Sequence, residues 1–317
     1  MNYPATKPCG RIVVSTLLSV LTVALFSGCT SRHQEQSNLQ TDYNHADSAS
    51  PEGQDLAKRR LAMSPRHHEW VKIKYKPANA TTEREVSAFV VYPEVKTKAT
   101  SVLVIHEIFG MSDWVQSLTD QVAEAGYIAI APDLLSEMGP NRGGTSDVAT
   151  AGSNAIGTTI QALPPDQITA DLNAIADYVA ALPAANGKLV VAGFCWGGTQ
   201  TFRFATNRQS LKASFVFYGG PPMTGPQENQ VIDKATLTRI NAPVYGFYAE
   251  NDMRINATLP ATIEAMRKLG KTYEPVTYGG AGHGFMRAGE DSNDKNPQNK
   301  KAHDDAWIRW REILAKI

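Results

Sequence analysis

From residue 71 onward the chain alternates short apolar runs with longer stretches in which apolar residues recur every three or four positions. A period of two, or an unbroken apolar run, fits a strand and a period near 3.6 fits a helix, so the alternation predicts an α/β fold. Residues 71–75 and 86–92 flank a polar turn and read as an antiparallel hairpin at a sheet edge. Residues 102–105 (Val-Leu-Val-Ile) form a run suited to burial on both faces of a parallel sheet, and the helical pattern over 114–125 is placed for Gly126 to end. Another buried strand is expected at 127–131. The pattern then lapses in a glycine-rich stretch through Gly143, Gly144 and Gly157, and it does not fix whether 136–164 form a lid. Pro165 opens a helix in which Ile168, Leu172, Ile175, Val179 and Leu182 share a face, and Pro183 with Gly187 closes it. A strand at 189–192 leads through a glycine-bounded turn into a helix over 196–207. Strands follow at 213–218, 244–248 and 273–278, and Trp307, Trp310 and Leu314 mark a terminal amphipathic helix over 300–317. The expected architecture is a mostly parallel, doubly wound sheet with helices on both faces.

Composition adds few constraints. The chain has 317 residues, 42% hydrophobic and 20% charged, enough apolar content for one large core, expected over 66–317. Lys plus Arg and Asp plus Glu both number 31, so no basic excess points to nucleic acid. The N-terminus follows its own pattern: Lys7 and Arg11 precede an uncharged run over 12–26 that ends in Ser27-Gly28-Cys29. That run is short for a membrane span and reads as a secretory signal peptide over 1–28. It also resembles a bacterial lipobox, with Phe26 and Leu25 near the place of the usual leucine. The resemblance implies lipidation of Cys29, a membrane anchor and, with Thr30 behind the cysteine, an outer-membrane lipoprotein facing the periplasm. Residues 29–65 are polar with little periodicity and read as a tether.

Removal of Cys9 with the signal and acylation of Cys29 would leave Cys195 as the one thiol of the folded part. It lies in Gly193-Phe194-Cys195-Trp196-Gly197-Gly198, between a buried strand and a helix. This is where the Gly-x-nucleophile-x-Gly elbow of α/β-hydrolases belongs: the sharp turn needs close approach of its flanks, and the helix start favours a thiolate. Asp252 lies just past the 244–248 strand and His283 just past the 273–278 strand. The chain order is therefore nucleophile, acid, histidine, on loops that converge at the carboxyl edge of a parallel sheet. Cys195 attacks, His283 manages the proton and Asp252 orients the imidazole, with Glu250 as a rival acid two residues away. His67, His68, His106 and His303 follow no late strand and are read as structural or surface residues.

With these residues in place the chain resembles the dienelactone hydrolase family, whose α/β-hydrolase fold carries cysteine in a Gly-(Phe/Tyr)-Cys-x-Gly-Gly elbow. The resemblance extends to His106-Glu107-Ile108-Phe109-Gly110. It implies that Glu107 contacts the resting thiol, controls its protonation and moves away on substrate binding. It also implies backbone N–H donors from Ile108 and Trp196 to an oxyanion. Arg287 falls where the family binds a substrate carboxylate, Arg142 is a looser second choice, and Gly284 stands where the family often has serine. The implied activity is hydrolysis of a small ester or lactone through a thioester, with no cofactor and no metal. Two other readings remain at this stage: a thiol-based peroxide sensor, and a lipoprotein that keeps the fold only as a binding module.

Overall fold

The computed structural model describes residues 51–317 other than Asn79, Gln227 and Glu228. The expected signal peptide, Cys29 and the first part of the expected tether lie outside the described residues. Eight strands form one sheet: β1 (His68–Tyr75), β2 (Arg84–Val91), β4 (Ile128–Pro132), β3 (Ala99–Ile105), β5 (Ala185–Phe194), β6 (Ala213–Phe217), β9 (Val244–Ala249) and β10 (Tyr273–Tyr278), in that order across it. The short strands β7 (Met223–Thr224) and β8 (Val231–Ile232) pair with each other. From β4 to β10 every pairing is parallel, and only β1–β2 and β2–β4 are antiparallel. The expected edge hairpin and buried parallel strands are therefore in place.

Side-chain alternation along the central strands separates two packed layers. Phe194 on β5, Phe217 on β6 and Phe247 on β9 are cross-strand partners and stack at 4.5 and 4.2 Å between ring centroids. Trp310, on the terminal helix Pro297–Leu314, lies against Phe194, Phe215 and Phe217, and Trp114, on Asp113–Glu124, meets Phe194 edge-on. On the opposite face Phe202, Val216, Val244, Tyr248 and Met266 share a core with the helices Trp196–Asn207 and Leu259–Lys268. Each of these fully buried rings contributes about 1.5–3 kcal/mol. The aromatic ladder also levels the strand ends, so that the residues just beyond Phe194 and Phe217, Cys195 and Tyr218, emerge at one edge of the sheet.

Two stretches differ from the expectation. Residues 51–63, assigned to the tether, form the helix Pro51–Met63, in which Ala57 is 1% exposed and Leu56 and Leu61 are half-buried. Ion pairs do the rest: Arg60 meets Glu290 at 2.6 Å, and just past the helix Arg66 grips Asp120 with two bonds of 2.9 and 2.6 Å. An apolar stripe this narrow, on a helix docked largely by charged tips, falls below what periodicity picks out. The glycine-rich stretch after β4 holds a 3-10 turn, Pro140–Arg142, and the helices Thr145–Ala149 and Ala155–Ala162.

Candidate active site

Cys195 follows the last residue of β5 and caps Trp196–Asn207 with φ +57° and ψ −119°, a conformation that costs a non-glycine residue on the order of 1–3 kcal/mol. The flanking glycines make the turn sterically feasible. A Cβ on Gly193 would lie 2.2 Å from the Gly197 carbonyl oxygen, and one on Gly197 would lie 2.4 Å from the carbonyl oxygens of Ile105 and His106. The helix start is thus pressed onto the end of β3, which brings Trp196 beside the loop that carries Glu107 and Ile108. Trp196 is the first residue of its helix, so its N–H has no acceptor within the helix. Cys195 itself is buried, at 5% exposure.

Asp252 and His283 come together from the ends of β9 and β10. Asp252 caps the short helix Met253–Asn256 by accepting from the Ile255 amide at 3.2 Å, which leaves its second oxygen 2.5 Å from Nδ1 of His283. The rival acid Glu250 is used otherwise: it accepts from the Gly280 amide at 2.7 Å and so shapes the loop before His283. Gly280 and Gly284 hold that loop with φ of +69° and +77°. Gly284, set where serine is common in the resembling family, is therefore needed for its left-handed backbone. Burial works against a charged His283, yet the charge of Cys195 and the hydrogen bond to Asp252 outweigh it and raise the imidazole from 6.5 to about 10. Burial likewise opposes ionisation of Asp252, but the His283 hydrogen bond and charge hold its carboxyl below the usual range. Nδ1 of His283 is committed to Asp252, so the buried Nε2 is the nitrogen left to exchange a proton with a reacting group.

Glu107 is held by a guanidinium and a phenol. Its oxygens are engaged by Arg287 Nε at 2.8 Å and by the Tyr218 hydroxyl at 3.2 Å, and its side chain is 2% exposed. A buried carboxylate is satisfied far better by a guanidinium and a phenol than by a weak S–H donor. Arg287 is accordingly neither exposed nor free: it is 6% exposed, paired with Glu107 and stacked over Phe109 at 5.2 Å. Arg142 remains apart, exposed and paired with Glu137. Sequence reasoning missed Tyr218, which sits edge-on to His283 at 5.0 Å and whose hydroxyl is held strongly neutral by burial first and then by the charges of Glu107 and Cys195. Its signal was a polar tip on the last residue of the 213–218 run. His106 is structural: Nδ1 donates to the Glu107 carbonyl at 2.7 Å, Nε2 accepts from the Leu134 amide at 3.4 Å, and burial keeps the ring neutral. His303 pairs with Glu290 and Asp304, and His67 with Glu69.

The loop from Glu107 to Met111 is pinned by two further residues the sequence did not single out. Asp133 accepts from the Thr145 amide, the Thr145 hydroxyl and the Leu135 amide at 2.7, 2.7 and 3.0 Å, and Thr145 Oγ1 in turn accepts from the Met111 amide at 3.1 Å. Thr145→Val keeps the shape but strands the Met111 donor and removes one of the donors to Asp133. It is expected to lower unfolding free energy by about 1–3 kcal/mol in urea titration, whereas a loss under about 0.5 kcal/mol would show that the bond pins nothing.

Among the described residues no group of three or more His, Cys, Asp or Glu side chains is placed to hold a metal ion. The sequence profile of the dienelactone hydrolase family matches residues 86–317. A candidate carboxymethylenebutenolidase of Escherichia coli is 33% identical over 222 residues, covering 67% of this chain and 74% of the relative. One from Saccharolobus solfataricus is 30% identical over 268 residues, 74% of this chain and 95% of its own. A solved structure of a candidate dienelactone hydrolase from Klebsiella pneumoniae superposes with a TM-score of 0.64 at 24% identity, over 79% of this chain and all of its own. Together with the eight-stranded, mostly parallel sheet, that likeness gives the α/β-hydrolase fold.

Proposed function

Because this chain belongs to the dienelactone hydrolase family and is a carboxylic ester hydrolase, we propose that Cys195, His283 and Asp252 carry out its reaction on a small ester or lactone. The observation that carries the reading is the 2.5 Å contact of Asp252 with Nδ1 of a His283 whose basicity is raised by Cys195. A thiolate on Cys195 attacks the carbonyl carbon, and the oxyanion is met by the amides of Trp196 and Ile108. As the carbon–oxygen bond breaks, Nε2 of the His283 imidazolium gives its proton to the departing alkoxide, leaving a thioester on Cys195 and a neutral imidazole. Nε2 then takes a proton from water, the hydroxide adds to the thioester, and expulsion of the thiolate restores the ion pair and releases the acid. Asp252 keeps the Nδ1–H tautomer and stabilises the imidazolium throughout.

The ion pair has a testable pH signature. His283 has a folded-state value raised above 6.5, so its contribution to stability is complete below 6.5 and is lost as pH climbs through about 10. In an NMR titration His283 should still be protonated at about pH 8, where an ordinary histidine is neutral. In Cys195→Ala its midpoint should move down. A midpoint near 6.5 in both proteins would contradict the pair.

Arg287 and Glu107 support a preference for a substrate that bears a carboxylate. A guanidinium beside the nucleophile suits an anion, and an entering carboxylate would replace Glu107 on Arg287, freeing Glu107 to act on the thiol. A matched panel of carboxylated and uncarboxylated lactones tests this. The carboxylated members should have the lower KM, and Arg287→Ala should abolish the difference; equal KM values for both classes in the parent enzyme would remove the anion role. The basic and apolar pattern before Cys29 supports export and lipid anchoring on the periplasmic side.

A further inference from the structure

A peptide group is planar, so its carbonyl and the N–H of the following residue point in opposite directions and turn together. The Glu107 carbonyl and the Ile108 N–H belong to one such group, and whatever holds the carbonyl therefore aims the N–H assigned to the oxyanion. The shortest hold comes from His106. Its Nδ1 donates to that carbonyl at 2.7 Å, against 3.2 Å from the Gly110 amide. Nε2 accepts from the Leu134 amide at 3.4 Å, so the two contacts together require a neutral ring protonated on Nδ1, and burial at 0% exposure favours the neutral form. The same ring stacks on the indole of Trp196, with 5.5 Å between centroids and 15° between planes. Trp196 carries the other amide assigned to the oxyanion, at the start of a helix that Gly197 lets press against the His106 carbonyl. One buried imidazole thus joins the two segments from which the donors come.

We propose that His106 is a positioning residue for the oxyanion site: its ring aims the Ile108 N–H by holding the far end of the same peptide, and braces the indole of Trp196 beside it. The proposal rests on the assignment of ester hydrolysis to Cys195, with Ile108 and Trp196 as the donors. A hydrogen bond accepted by the carbonyl also polarises the peptide and strengthens its N–H as a donor. The gain arises only when negative charge develops on the substrate oxygen, so it lowers the barrier without tightening substrate binding.

The test compares hydrolysis of p-nitrophenyl acetate with alkylation of Cys195 by iodoacetamide, which needs a thiolate but forms no oxyanion. His106→Phe keeps a ring against Trp196 and loses the donor to the Glu107 carbonyl. It should lower kcat about 10²-fold, with KM and the alkylation rate within about threefold of the parent. In His106→Asn the amide nitrogen takes the place of Nδ1, and at least about tenfold of the loss should return; in His106→Gln the amide reaches the place of Nε2 instead, and no recovery is expected. If His106→Phe does not fold, the Asn and Gln variants decide, a tenfold or greater advantage for Asn supporting the proposal and equal kcat values overturning it. With the parent active, a kcat of His106→Phe within about threefold of the parent, or an alkylation rate that falls as far as kcat, would overturn this proposal alone. Inactivity of the parent protein on every ester would instead overturn the hydrolase reading, and this proposal with it.

Discussion

Cys195→Ala is expected to lower kcat for ester hydrolysis by about 10⁴- to 10⁶-fold, with the protein still folded. In the proposed mechanism the thiolate is the group that forms and breaks the covalent bond, and no other cysteine lies among the described residues. Alanine at this position inherits the φ of +57° without removing any packing of consequence, so the loss should be chemical rather than structural. His283→Ala should cost a similar factor. The double replacement should cost little more than either single one, because residues that act as a unit are not additive. Effects that multiplied instead would separate His283 from Cys195 and contradict a shared step.

Arg287→Met should be the most damaging single change to stability in the site. Removing the guanidinium leaves the Glu107 carboxylate buried at 2% exposure with only the Tyr218 hydroxyl, and breaking such a buried pair costs about 3–5 kcal/mol. Adding Glu107→Gln removes the uncompensated charge, so the double variant should recover a substantial part of that loss. Urea unfolding of the three variants makes the comparison. If Arg287→Met proved no worse than about 0.5 kcal/mol, as for a surface change, the buried pair would not exist in solution. The same pair keeps the Arg287 side chain ordered.

The hydrophobic pattern was enough to place every parallel strand of the sheet and the turn at Cys195, because a buried run and a glycine-flanked nucleophile each have one strong structural reason. Asp252 and His283 were legible from their positions after successive late strands, a consequence of parallel topology that needs no contact information. Contacts made across long separations were not legible. Glu107 and Arg287 are 180 residues apart, and nothing local distinguishes a carboxylate beside a thiol from one beside a guanidinium. Tyr218 was absorbed into an apolar strand, and Asp133 and Thr145 lay at the edge of a glycine-rich stretch where periodicity fails. The helix Pro51–Met63 escapes apolar patterning because charged side chains, to which such patterning is blind, help to dock it.

The central claim is that Cys195 carries the acyl group between the two half-reactions. Rapid acid quench of the protein mixed with p-nitrophenyl acetate, followed by intact mass and peptide mapping, tests it directly. The account predicts a protein heavier by one acetyl group, with the group on the peptide containing Cys195, and no adduct in Cys195→Ala. Turnover of the ester with Cys195 unmodified at every quench time, or an acetyl group carried on another residue, would contradict it.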